Sequence, residues 1–138
     1  MIFKLSNKFD AERAKAYLSK LIARGGTAEL TEKRPVRNLD QNALFHVWIQ
    51  VFADHAGYES RADCKRDVKR VILGQREYVN RLTGEIEKED YETHLMDTKQ
   101  MSGLMDRFKA WALSGHGCYL PYYGDIGYEE MMSEYYKQ

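Results

Sequence analysis

What the chain has little of narrows its class first. Its 21 Lys+Arg are matched by 21 Asp+Glu, and a net charge of zero argues against a protein that binds DNA by bulk basicity. Only two cysteines occur, Cys64 and Cys118, far apart and outside any Cys-x-x-Cys. They read as reduced thiols, with a single disulfide as the alternative. No apolar run approaches the roughly 20 residues of a membrane span. Met1 to Leu5 is too short for the apolar stretch of a signal peptide and leads into a helical pattern, so the expected location is the cytoplasm. Gly-x-Ser-x-Gly and a phosphate-binding glycine loop are both missing, so nucleophilic and P-loop chemistry have no footing and no cofactor is expected. No repeat and no low-complexity linker interrupts the 138 residues. What remains, 43% hydrophobic and 30% charged, describes one soluble globular domain over residues 1–138 with a sizeable core.

The strongest positive signal is the stretch from Leu39 to Ala56. Leu44, Val47, Trp48, Val51 and Phe52 follow the i, i+3, i+4, i+7, i+8 spacing of a buried helical stripe. Phe45, Ile49, Ala53 and Ala56 widen it, and Asn42, His46, Gln50 and Asp54 leave one narrow polar strip. A helix this apolar is central, with neighbours on several sides. Asn38 with Gln41 reads as its capping box and Gly57 as its left-handed end.

Around it the chain reads as alternating elements. Met1–Ser6 is an opening strand, and Ala11–Ala23 a helix burying Ala14, Tyr17, Leu18, Leu21 and Ile22. Thr27–Lys33 is a second strand, in a compact βαβ unit or an antiparallel pair. Pro35 stops that strand or confines it to an edge. Ser60 caps a helix from Arg61 to Leu73 with Ala62, Val68, Val71 and Ile72 inside; Gln75–Arg81 and part of Ile86–Met96 pair as a hairpin around Gly84. Asp97 or Thr98 opens a helix with Met101, Leu104, Met105, Phe108, Trp111 and Ala112 on one face, ending at Ser114-Gly115. A short helix from Tyr128 to Lys137 closes the chain. The fold class is α+β: a small sheet from the N-terminal and middle strands, packed by four to five helices, with the central helix buried.

Charge is neutral only in sum. Residues 1–38 hold nine Lys/Arg against four Asp/Glu, residues 60–81 seven against three, and residues 82–107 three against seven. Segregation of this kind can give one basic and one acidic face. Arg61, Lys65 and Lys69 are four apart, as are Arg66 and Arg70, and Lys33, Arg34 and Arg37 form a basic loop before the central helix. Such rows are either a solvated helix face or a track for phosphates. Tyrosines are abundant near the C-terminal end (Tyr119, Tyr122, Tyr123, Tyr135, Tyr136). They suit core packing or a dimer interface before base stacking. His46, Asp54, His55, His94, His116 and Cys118 are metal-ligand types, which keeps a metal-dependent nuclease as an alternative. His46 and His55 are nine apart, not the i, i+4 of a helical two-His site. A protein-interaction adaptor using the Tyr/Met-rich end is the third reading.

Arg37-Asn38-Leu39-Asp40-Gln41-Asn42, opening an apolar helix that carries Trp48, resembles the signature of the phage NinB (lambda Orf-type) recombination-mediator family. Thr98 to Trp111, followed by a glycine turn and Tyr119-Leu120-Pro121, is similar to that family's later helix. The acidic middle hairpin and the end from Tyr128 depart from the pattern. The resemblance implies a non-enzymatic homodimer that binds single-stranded DNA, contacts the host single-strand-binding protein and helps load a recombinase or annealing protein. The residues expected to meet DNA are Lys33, Arg34, Arg37, Arg61, Lys65, Arg66, Lys69 and Arg70. For Leu39-Asp40-Gln41-Asn42 themselves, a helix start that satisfies backbone donors is favoured over direct DNA contact.

Overall fold

The computed structural model describes residues 1–32 and 36–136. The chain falls into two compact units, Met1–Pro35 and Val36–Gln138. The described residues form five α-helices and one two-stranded sheet, an α+β fold.

The N-terminal unit is one helix, α1 (Lys8–Arg24), with extended or irregular chain on either side. Asn7 starts it by accepting hydrogen bonds from the Phe9 and Asp10 N–H groups. Two side-chain pairs three residues apart, Asp10–Arg13 and Glu12–Lys15, line its surface. The strands expected at 1–6 and 27–33 are not formed among the described residues. Alternation specifies a strand only when a ladder partner exists, and the one ladder lies elsewhere in the chain. The face expected to be buried is not: α1 buries no residue, and Leu18 and Ile22 are exposed. Amphipathic spacing creates a face, but within this unit no second element covers it.

The larger unit is built on α2 (Gln41–Ala56), which buries Leu44, Phe45, Val47, Trp48, Ile49, Phe52 and Ala53. It packs against α3 (Arg61–Leu73), α4 (Thr98–His116) and α5 (Tyr128–Tyr135). Asn42, His46 and Asp54 stay exposed on its polar strip. The helix start differs from the expected capping box. Asp40, not Asn38, is the cap, accepting from Ala43 N–H at 2.8 Å. A carboxylate there also meets the positive end of the helix dipole. Gln41 is thereby released from capping, and its Nε2 donates across to the Thr98 carbonyl (3.3 Å) and Ser102 Oγ (2.7 Å) on α4.

The core is aromatic. Phe108 of α4 meets Phe45, Trp48 and Phe52 of α2 with ring centroids 5.9, 6.2 and 5.6 Å apart, all edge-to-face. This is the arrangement ring quadrupoles favour. Trp48 is wholly buried, and its indole N–H donates to the Pro121 carbonyl at 3.0 Å. Helix α4 begins with a full Asp97/Gln100 capping box and ends at a left-handed Gly117. In α3 the buried set is Cys64, Val68 and Ile72. Ala62 and Val71, expected inside, face solvent. Cys64 and Cys118 are buried free thiols, and burial pushes both thiols up, Cys64 to about 11.

The hairpin joins β1 (Gln75–Val79) to β2 (Ile86–Asp90), antiparallel from Gln75 opposite Asp90 to Val79 opposite Ile86. Its turn needs Gly84, which sits at φ +73°. A lone two-stranded hairpin is marginal in water. Here cross-strand pairs Arg76–Glu89 and Tyr78–Glu87 knit it, and α3 anchors its base.

Candidate nucleic-acid interface

The hairpin anchor divides the basic face of α3 into two unlike rows. Arg70 grips Asp90 through Nε and Nη2 at 2.7 and 3.0 Å, a bidentate pair. Those hydrogen bonds hold the Asp90 carboxyl below its ordinary 3.8, with burial opposing. Arg66 is flanked by Asp63 at 3.1 Å and Asp67 at 3.3 Å. The Asp67 carboxyl is held down first by the Tyr58 hydroxyl, which donates to it at 2.7 Å. The Arg66–Arg70 row is thus neutralised by the protein's own carboxylates and works as structure.

The other row is different. Among the described residues, none of Arg61, Lys65 and Lys69 is ion-paired to a carboxylate. Lys69 Nζ donates to the Tyr91 carbonyl at 2.8 Å and forms no salt bridge, although its charge is among those that hold the Asp90 carboxyl down. Lys65 Nζ lies 3.3 Å from His46 Nε2 on the polar strip of α2. Burial, then Lys69, lowers the Lys65 ammonium's pKa, with Glu92 opposing. Burial, then Lys65, lowers that of His46, with a backbone hydrogen bond at Asn42 opposing. Burial leads both shifts, and the neighbouring positive charge adds to each, so Lys65 and His46 share a partly desolvated, locally positive site.

Three expected residues remain. Lys33 and Arg34 lie outside the described residues. Arg37 is held by α5: its Nη1 donates to the Tyr136 hydroxyl at 3.1 Å, and its carbonyl accepts from the Tyr128 hydroxyl at 2.6 Å.

The tyrosines also separate. Tyr128 is buried, and Tyr122 packs edge-on to Trp48 at 4.9 Å while donating to Asp106 at 2.5 Å. Tyr119 is 45% exposed, with the Lys109 ammonium 4.5 Å from its ring centroid. Tyr123 is 54% exposed and rests edge-on against Tyr128 at 5.5 Å.

A cleft of about 330 Å³ lies beside the start of α2, with Asn38, Gln41, Leu44, Ser102, Met105 and Tyr123 on its lining. Residue spacing could not have found it, because it joins three segments some 60 and 20 residues apart. The only hint was that Asn38 and Gln41 stood in the signature hexapeptide.

The metal-ligand types do not assemble. His55 Nε2 is 2.6 Å from the His116 carbonyl oxygen, and His94 pairs with Glu92. Among the described residues no three His, Cys, Asp or Glu side chains converge on a point. Nor is any helix among them long and apolar enough to cross a membrane.

The chain matches no protein-family model, no curated protein and no solved structure.

Proposed function

We propose that this protein is a non-catalytic single-stranded DNA-binding protein, acting as a phage-type recombination mediator that helps load a recombinase or annealing protein. The observation that supports the reading is the row Arg61, Lys65 and Lys69: three cations at helical spacing with no salt bridge to a carboxylate among the described residues, beside a neighbouring row that is ion-paired. Positive groups left unpaired on a rigid helix are what a phosphate track requires. The narrower parts of the reading, the mediator role in loading a recombinase or annealing protein, a homodimer and a host single-strand-binding protein as partner, rest on the sequence resemblance to the NinB family.

The test is fluorescence anisotropy of a labelled oligo-dT titrated over salt, with a duplex control. Affinity should favour the single strand and fall linearly in log–log with salt. Arg61→Ala, Lys65→Ala and Lys69→Ala together should flatten that slope by about 2, since each single-strand phosphate contact contributes roughly 0.7. An unchanged slope in the triple variant would remove α3 from the interface. Exposed Leu18 and Ile22, four apart on α1, favour the adaptor as second reading; absence of DNA binding at low salt would move the weight there.

A further inference from the structure

We infer that the cleft beside the start of α2 is a nucleobase pocket, which receives one unstacked base of the bound strand against the Tyr123 ring. The inference rests on the single-strand reading above and names a second, chemically different part of the same interface.

Volume and wall chemistry both suit a base. About 330 Å³ is at the small end of the roughly 300–1,000 Å³ range of ligand pockets. Its lining includes Leu44 and Met105, both buried and apolar. Its lining adds an exposed aromatic, Tyr123. A flat heteroaromatic ring needs this combination: an apolar floor, one π-face to stack on, and a few in-plane hydrogen-bonding groups.

Those groups are present and held. Gln41 spends both donors of its carboxamide on the Thr98 carbonyl and Ser102 Oγ. The Gln41 Oε1 acceptor and the Ser102 hydroxyl proton remain to face a ligand. The Asn38 carboxamide has no partner among the described residues and offers one further donor and acceptor. A base edge always carries both kinds of group, so this set accepts any base and selects none strongly. That is what a sequence-tolerant single-strand binder needs.

Tyr123 is also pre-set. Its ring is braced edge-on by Tyr128, whose hydroxyl is tied to the Arg37 carbonyl. Little side-chain freedom is lost on stacking. Arg37 is the residue before Asn38 in the chain, which puts a cation next to the pocket's own lining segment.

The experiment compares two labelled strands of equal length, oligo-dT and a fully abasic strand, on the wild type, Tyr123→Ala and Tyr123→Phe. Tyr123 is more than half exposed, so the alanine variant should keep the wild-type melting temperature. Stacking one base on an aromatic is worth about 5- to 150-fold in affinity. The wild type should therefore prefer oligo-dT to the abasic strand by a factor in that range. Tyr123→Ala should erase the preference, leaving abasic affinity unchanged, and Tyr123→Phe should keep it. Equal binding of both strands by the wild type would overturn the pocket and leave the phosphate track standing. Equal losses on both strands in Tyr123→Ala would overturn it too. Wild-type protein that binds neither strand would sink the single-strand reading and the pocket with it. Binding of free thymidine monophosphate with no oligonucleotide preference would assign the cleft to mononucleotides and also reject the inference.

Discussion

Helices α1 and α2 are nearly the same length, 17 and 16 residues, yet α2 buries seven side chains and α1 buries none. Both carry a proper side-chain cap, Asn7 on α1 and Asp40 on α2. Both end at glycine. The difference lies in what holds each helix. In α1 the support is local: a cap, two exposed ion pairs, and Arg13 stacked 5.7 Å from the Phe3 ring. In α2 it is non-local, from Phe108, Tyr122, Pro121 and Ser102, all distant in sequence. Most helix stability in folded proteins comes from burial of an amphipathic face rather than from local terms. The same length and the same caps should therefore give helices of very different stability.

The largest expected effect is at Trp48. Trp48→Ala removes the largest fully buried side chain in the core and strands the Pro121 carbonyl. The expected loss is about 3–5 kcal/mol of global stability, read as a lowered denaturant midpoint, and in a chain of this size that can abolish folding. A soluble variant with an unchanged midpoint would show that α2 is not the centre of the core.

Next come the two caps, which are the same chemistry in two settings. Asp40→Ala should cost about 1 kcal/mol, and because α2 unfolds only with the core, the whole of it should appear as a lower melting temperature. Asn7→Ala removes a cap of similar worth, about 1 kcal/mol, but from a helix without buried residues. Its effect should appear as faster amide exchange in α1, with the melting temperature of the larger unit unmoved. A common loss of melting temperature in both variants would erase the contrast between the helices.

The contrast also explains what could be read in advance. α2, α3 and α4 are marked by a period and end residues and the hairpin by Gly84; all four form, with α2 capped at Asp40 instead of Asn38 and α4 running to His116 instead of Ser114-Gly115. The two N-terminal strands were read from alternation alone, and alternation says nothing about whether a partner strand exists. The start of α2 is capped by Asp40 where the sequence also offers Asn38, and Gln41, expected to reach back to the cap, bonds instead to Ser102, 61 residues away. The candidate site divides in the same way. Helical spacing revealed both cation rows of α3. Asp63 and Asp67 beside Arg66 lie within α3, but the partner of Arg70, Asp90, is 20 residues downstream, so helical spacing alone did not show the whole row to be neutralised. The cleft was illegible for the same reason.

The smallest effect concerns the hairpin, which stands between the two helices in character: little burial of its own, but tied to a packed element. Its ties are carboxylates. Asp90 is held below 3.8 by the Arg70 hydrogen bonds. Glu87 is held below 4.5, first by the Tyr78 hydroxyl and then by the Asn80 amide. Both folded-state values are depressed, so each tie contributes fully above the unfolded value and is lost as pH falls through the folded one. Acidification from about pH 6 to about pH 3 should therefore loosen the hairpin while α2, whose support is apolar, stays protected. The measurement is amide protection along the chain, corrected for the intrinsic pH dependence of exchange. Arg70→Ala should bring the neutral-pH hairpin close to its acid behaviour, because it removes the bidentate partner that Asp90 protonation also removes. If hairpin protection is the same at both pH values, the Arg70–Asp90 pair is not what anchors the sheet to α3. The neutralised row would then need another reason to exist, and the division of α3 into a structural row and an available row would lose its basis.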